Sequence, residues 1–214
     1  GTAAVWAGSG TFTRGTSTLK MTGTNKNITY SGDESLHNVT IATGGDSNAI
    51  NLNDIDGNNS GILVYGTLEQ ESGKLASTTS EYVQIGKTFG DVKVAAGKGA
   101  IAFAEVERWY IYEDSESGTK NFPSASSADK NLTINDMFIT STSSIEVLAQ
   151  GNLTFSTRLR VDNCNTFNAN GKTISSVKQV DINGPATLDL RNSSLIFTAD
   201  SGTYIMLDDT FNLL

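Results

Sequence analysis

Proline occurs twice in this chain, at Pro123 and Pro185; cysteine occurs once, at Cys164, and histidine once, at His37. Each scarcity removes a class of reading. With so little proline, backbone N–H donors are available for long β-ladders. A single cysteine excludes an internal disulfide framework, and in Arg160-Val161-Asp162-Asn163-Cys164 it reads as a small apolar filler near a corner. A single histidine, next to Asn38, argues against a histidine-based acid–base mechanism. No apolar run approaches the ~20 residues of a membrane span, and no signal-peptide pattern is read at the start, where Gly1 suggests a processed chain or a piece of a longer one. Basic residues are outnumbered, 15 against 23, for a net charge of −8. Such a surface repels phosphate backbones, so no nucleic acid partner is expected.

What is present is small and polar. Gly, Ser, Thr and Asn together supply 89 of the 214 residues. That bias accompanies disorder in some chains, but here the apolar residues are spaced evenly, Thr, Val and Ile favour strands, and no long window keeps a helical period.

One four-residue pattern organises the chain. Asn27-Ile28-Thr29-Tyr30, Asn38-Val39-Thr40-Ile41, Asn131-Leu132-Thr133-Ile134 and Asn152-Leu153-Thr154-Phe155 each read Asn, aliphatic, Thr, aliphatic or aromatic. Apolar residues at i and i+2 fall on one face of a strand and Thr on the other. Asn tolerates the left-handed backbone, which suits a corner just before the strand. The same doublets continue as Ile50/Leu52, Ile62/Val64, Val83/Ile85, Val92/Val94 and Ile101/Phe103. They resume with Ile145/Val147, Leu159/Val161, Val180/Ile182, Leu188/Leu190, Leu195/Phe197 and Ile205/Leu207. A three-residue strand is stable only when stacked on copies of itself, and three doublets per turn predict coils of roughly 20 to 30 residues. The fold class expected is therefore all-β, a right-handed parallel β-helix or solenoid. A β-sandwich or jelly roll is the alternative, favoured by the hairpin-type dipeptides Asp56-Gly57, Asn170-Gly171 and Asn183-Gly184.

Three segments follow: solenoid coils over 1–112, an extruded loop or connector over 113–130, and further coils over 131–214. The middle segment, EDSESGTKNFPSASSADK, is rich in Ser and mixed charge and is expected to leave the stack. The most aromatic stretch, residues 105–112, lies just before it and suits either a wide core or a contact surface.

Trp6, Gly8-Ser9-Gly10-Thr11-Phe12-Thr13, Gly15-Thr16-Ser17-Thr18-Leu19, Gly23-Thr24 and Leu36-His37-Asn38-Val39-Thr40-Ile41 resemble Gly/Thr-rich β-helix units. Such units recur in structural proteins of bacterial viruses and in bacterial surface adhesins. Asn168-Ala169-Asn170-Gly171-Lys172-Thr173-Ile174 is similar to a turn of the pectin-lyase-like superfamily. The resemblance implies a parallel β-helix and homo-oligomers, trimers among them; it brings no catalytic residues.

Candidate sites have bland counterparts. Asn53-Asp54-Ile55-Asp56-Gly57-Asn58-Asn59 offers oxygens for calcium, but Leu52 stands where a ligand is needed and the distal Glu is missing, so a polar turn is the simpler reading. Arg158, Arg160 and Asp162 share an outward strand face and suit either an acidic sugar or ion pairs between coils. Glu105, Glu107, Glu113, Asp114 and Glu116 supply carboxylates near aromatics without fixing a separation. Sequons at Asn27, Asn38, Asn131, Asn152 and Asn192 coincide mostly with the strand motif. No catalytic, cofactor-binding or metal-binding residue is assigned, and no cofactor is expected. The function expected is a non-enzymatic structural protein on the exterior of a virus particle, an appendage, decoration or fibre. Its partners would be copies of itself, other virion or surface proteins, or a cell-surface glycan, with no membrane span. An adhesin or filament module of a bacterial surface, and a polysaccharide lyase or depolymerase, are the alternatives.

Overall fold

The structure, a computed structural model, describes residues 15–30, 34–54, 60–77, 81–85, 91–95, 103–112, 117–176, 178–198, 204–207 and 212–214. The chain winds in successive rungs. The first holds β1 (Thr18–Thr22), β2 (Lys26–Tyr30) and β3 (Glu34–Leu36); the second β4 (Asn38–Ala42), β5 (Ala49–Asp54) and β6 (Gly61–Val64). The third holds β7 (Leu68–Ser72), β8 (Lys74–Ser77) and β9 (Tyr82–Ile85). In the fourth, a 3-10 turn (Phe103–Glu105) lies between β10 (Val92–Val94) and β11 (Arg108–Ile111). Then come β12 (Gly118–Phe122) with β13 (Leu132–Ile139), and β14 (Ile145–Ala149) with β15 (Leu153–Val161). The last rungs are β16 (Thr166–Asn168), β17 (Thr173–Ser176) and β18 (Gln179–Ile182), then β19 (Thr187–Asp189), β20 (Ser194–Phe197) and β21 (Tyr204–Leu207), with β22 (Asn212–Leu213) opening one more.

Every described strand pair is parallel. The sheets run β1-β4-β7-β10, β2-β5-β8, β12-β14-β16-β19-β22, and a long sheet through β3-β6-β9-β11-β13-β15 that continues as β17-β20 on one half of β15 and β18-β21 on the other. This is a parallel β-solenoid. The sandwich alternative, which needs antiparallel neighbours, is excluded. Residues bonded between rungs lie 20, 21, 24 or 29 positions apart, within the expected coil length.

The doublets form one continuous core. Ile28/Tyr30, Val39/Ile41, Ile50/Leu52, Ile62/Val64, Val83/Ile85, Val92/Val94, Leu132/Ile134, Leu153/Phe155, Leu159/Val161 and Val180/Ile182 are all buried. Phe155 meets Phe167 of the next wall edge-on, with ring centroids 6.2 Å apart. Burial of such side chains is the main source of stability, at roughly 25 cal/mol per Å2 of apolar surface.

Several expectations need correction. Ile101 lies outside the described residues, and Phe103 belongs to a 3-10 turn rather than a strand. Residues 117–130 do not leave the stack. β12 pairs in register with β14, its Lys120 and Phe122 point inward, and Phe122 is fully buried. Residues 124–128 then run back alongside β10, the Ser124 N–H donating to the Val92 carbonyl at 2.7 Å and the Ala128 N–H to the Val94 carbonyl at 3.2 Å. Ser127 Oγ completes this seam by accepting the Val94 N–H at 3.1 Å. Residues 113–116 lie outside the described residues.

Of the four motif asparagines, Asn27 lies within β2, where its Oδ1 accepts Asn51 Nδ2 at 3.3 Å, and the other three are at rung corners, but not for the expected reason. The described left-handed asparagines are Asn25, Asn163, Asn170 and Asn192. Asn38, Asn131 and Asn152 act instead through their side chains: each Oδ1 accepts a backbone N–H one rung on, from Thr67, Asn152 and Thr173 at 2.8, 2.9 and 2.9 Å. These amides begin the next strand and have no ladder partner of their own, so the corner is satisfied by side chain rather than by backbone conformation.

Candidate functional site

The outward face of the long sheet carries Arg158 and Arg160, together with Arg108 and Tyr110 of the 105–112 stretch. Parallel pairing stacks identical positions, so each rung adds one side chain to each of two columns. One column reads Tyr82, Arg108, Asp136, Arg158, Gln179; its neighbour reads Gln84, Tyr110, Phe138, Arg160, Asp181. Arg158 and Arg160 thus share an outward face, as their alternation with Leu159 and Val161 predicts.

The aromatics make a short stack. Tyr110 lies over Phe138 with centroids 4.9 Å apart and planes 20° apart, and Tyr82 meets Tyr110 edge-on at 5.1 Å. The Arg158 guanidinium covers the Phe138 ring at 4.5 Å, a cation–π contact. Around it the charges alternate. Arg158 donates to Asp136 Oδ2 at 3.2 Å and approaches Asp181 at 3.9 Å. Arg160 Nε donates to both oxygens of Asp162, at 2.8 and 2.9 Å, and Asn183 Nδ2 donates to Asp162 at 2.8 Å. Gln179 donates to Asp181.

Asp136 is the residue that sequence reasoning missed. It is only 4% exposed, at the point where the β13–β15 register shifts between Ile134 and Asp136. Burial drives its carboxyl above the usual aspartate range; the Arg158 charge and hydrogen bond oppose this, and the Glu107 charge adds to it. Its Oδ1, Arg108 Nε and Arg158 Nε are buried without hydrogen-bond partners. The register shift also brings in Asn135, whose Nδ2 donates to the Glu107 carbonyl at 3.1 Å and to Glu107 Oε2 at 3.4 Å. Asn135 Oδ1 accepts the hydroxyls of Ser156 and Thr157 at 3.1 and 2.7 Å. An aspartyl group biased toward its protonated form, beside a second carboxylate and two guanidiniums, can hold a proton. Its arrangement is also that of an inter-rung charge ladder, with Arg158 between Asp136 and Asp181.

The remaining candidates are dispersed. Glu105 pairs with Lys74 at 3.0 Å, and Glu107 also receives structural support, its N–H donating to Ser77 Oγ at 2.9 Å. Glu113, Asp114 and Glu116 lie outside the described residues. Of the acidic turn at 53–59, Asp54 is described, and its Oδ2 accepts the Ser60 N–H at 3.0 Å; Asp56, Asn58 and Asn59 lie outside. His37 contributes its carbonyl to the Gly66 N–H at 2.7 Å. Cys164 is exposed with a free thiol, and its carbonyl accepts the Ser144 hydroxyl at 2.8 Å. Among the described residues no three His, Cys, Asp or Glu side chains converge as a metal site, and no helix is long and apolar enough to cross a membrane. No protein-family model matches this chain, and no curated protein or solved structure is significantly similar to it.

Proposed function

We propose that this chain is a non-enzymatic structural element of a virus-particle exterior, an appendage or fibre solenoid. The observation that carries this reading is the outer wall of the long sheet.

Its described charges are engaged with one another in the ladder around Arg158 and Arg160, as a structural wall requires.

Incubation with a panel of acidic and neutral polysaccharides tests the reading, and no turnover is expected. Turnover of a polysaccharide panel that Asp136→Asn abolishes would sink the non-enzymatic assignment.

A further inference from the structure

A second polar feature lies at the corner where the motif asparagines stack, away from the charged face. A cleft of about 570 Å3 is lined there by Ala128, Asp129, Lys130, Asn131, Gln150, Gly151, Asn152 and Lys172. Its construction follows from the rung period. Asn152 N–H donates to Asn131 Oδ1 and Thr173 N–H to Asn152 Oδ1, each across 21 residues, so the preceding residues Lys130, Gly151 and Lys172 occupy one column on successive rungs. Parallel strands lie ~4.8 Å apart, which puts the two lysine rungs ~10 Å apart. Between them stands a residue with no side chain. Gly151 packs so closely on the rung before it that a Cβ would run into the Lys130 carbonyl. The result is a notch floored by Gly151 and flanked by two lysines.

The groups facing this notch are mostly donors. Neither Lys130 nor Lys172 has an ion-pair partner among the described residues, although the protein carries a net charge of −8. The ladder consumes the Oδ1 of Asn131 and of Asn152 and leaves both Nδ2 groups without an acceptor. The Gly151 N–H likewise has no partner among the described residues. Gln150 is engaged with Asn121 Oδ1 at 2.6 Å. The one carboxylate, Asp129, accepts the Asn131 N–H at 3.2 Å. Two cations, two carboxamide donors and one free amide against one carboxylate make a site for negative charge with several acceptor oxygens.

We infer that the notch around Gly151 binds the terminal phosphate or sulfate group of a ligand, its oxygens held by Lys130, Lys172, the carboxamides of Asn131 and Asn152 and the Gly151 amide. The test is amide chemical-shift titration of the whole chain at low salt with phenyl phosphate and phenyl sulfate, with phenol as the uncharged control. The Gly151 amide is expected to shift saturably with the phosphate ester, the sulfate ester or both, and not with phenol. Lys130→Gln and Lys172→Gln should each weaken binding about fivefold, the factor one unit charge some 4 Å away supplies in water-like surroundings. Asn131→Asp keeps the acceptor for the Asn152 N–H while replacing a donor with a negative charge, and should remove binding without unfolding the corner. A Gly151 amide that neither ester moves, that phenol moves equally, or whose shift persists unchanged in both lysine variants would overturn the assignment.

Discussion

Asn131 Oδ1 accepts the backbone N–H of Asn152 at 2.9 Å, joining one rung corner to the next across 21 residues. Asn152 repeats the contact to Thr173 at 2.9 Å. The chain of corners predicts that Asn152→Ala, which leaves the Thr173 N–H without its acceptor, lowers stability by about 1 kcal/mol. Asn152→Asp, which retains an acceptor oxygen, should cost less. Denaturant unfolding of the two variants beside wild type distinguishes them, and equal losses would mean that the carboxamide oxygen is not what matters.

The core gives a larger effect. Phe155 is fully buried and meets Phe167 edge-on, so Phe155→Ala should cost about 3–5 kcal/mol, against about half that or less for Phe155→Leu. A loss below 1 kcal/mol for the alanine variant, read from urea midpoints, would contradict a continuous packed interior.

Asp136 sets a pH dependence of unusual sign for an aspartate. Its carboxyl is raised above the ordinary value by burial, so the folded protein holds this proton more firmly than the unfolded chain. Its ionisation therefore costs stability: the folded state is favoured below the raised value and loses that advantage as pH rises through it. Asp136→Asn removes the titration. As pH rises from the ordinary aspartate value through the raised one, the melting temperature of the variant should improve relative to wild type. A difference that stays flat, or moves the other way, would show that Arg158 outweighs burial.

Asp189 behaves oppositely. Arg191 donates to it from Nε at 3.0 Å and from Nη2 at 2.6 Å, and these bonds hold its carboxyl below the ordinary range. The stability it provides is present above the unfolded value and is lost as pH falls through the lowered folded one. Arg191→Gln should therefore show its deficit at neutral pH and lose it as pH falls through the lowered value, with a small amplitude because the pair lies at an exposed corner. A deficit that does not change as pH falls would assign the effect to packing instead.

The apolar doublets were legible because an i, i+2 spacing has one consequence for a strand, whatever the tertiary context. Reading failed where one member of a pair was not apolar. Lys120 and Phe122 occupy inward positions of β12, and the lysine, together with the surrounding serines, hid a strand that pairs in register with β14. It failed again at Phe103, where the wall is closed by a 3-10 turn rather than a strand. Asn38, Asn131 and Asn152 were read at the right places with the wrong mechanism, because a carboxamide bond to the next rung depends on a neighbour 21 or 29 residues away, and Asn27 was misplaced, since it lies within β2. On the outer face, Arg158 and Arg160 followed from alternation. Asp136 did not, since its contact with Arg158 needs the inter-strand register, and that register shifts immediately before it.

The 21-residue interval shared by Asn131, Asn152 and Thr173 makes chain length a matter of whole units. Tandem duplication of residues 153–173 would insert a ring of side chains whose core positions meet those above and below in kind. It would lengthen the protein by one strand spacing, ~4.8 Å, without redirecting anything beyond it. A duplication of twenty or twenty-two residues would leave the difference to the corners, as the 20-residue interval from Val147 to Phe167 and the 22-residue interval from Met137 to Leu159 already do. The stack therefore grows by whole rungs, and the corners set the length of each.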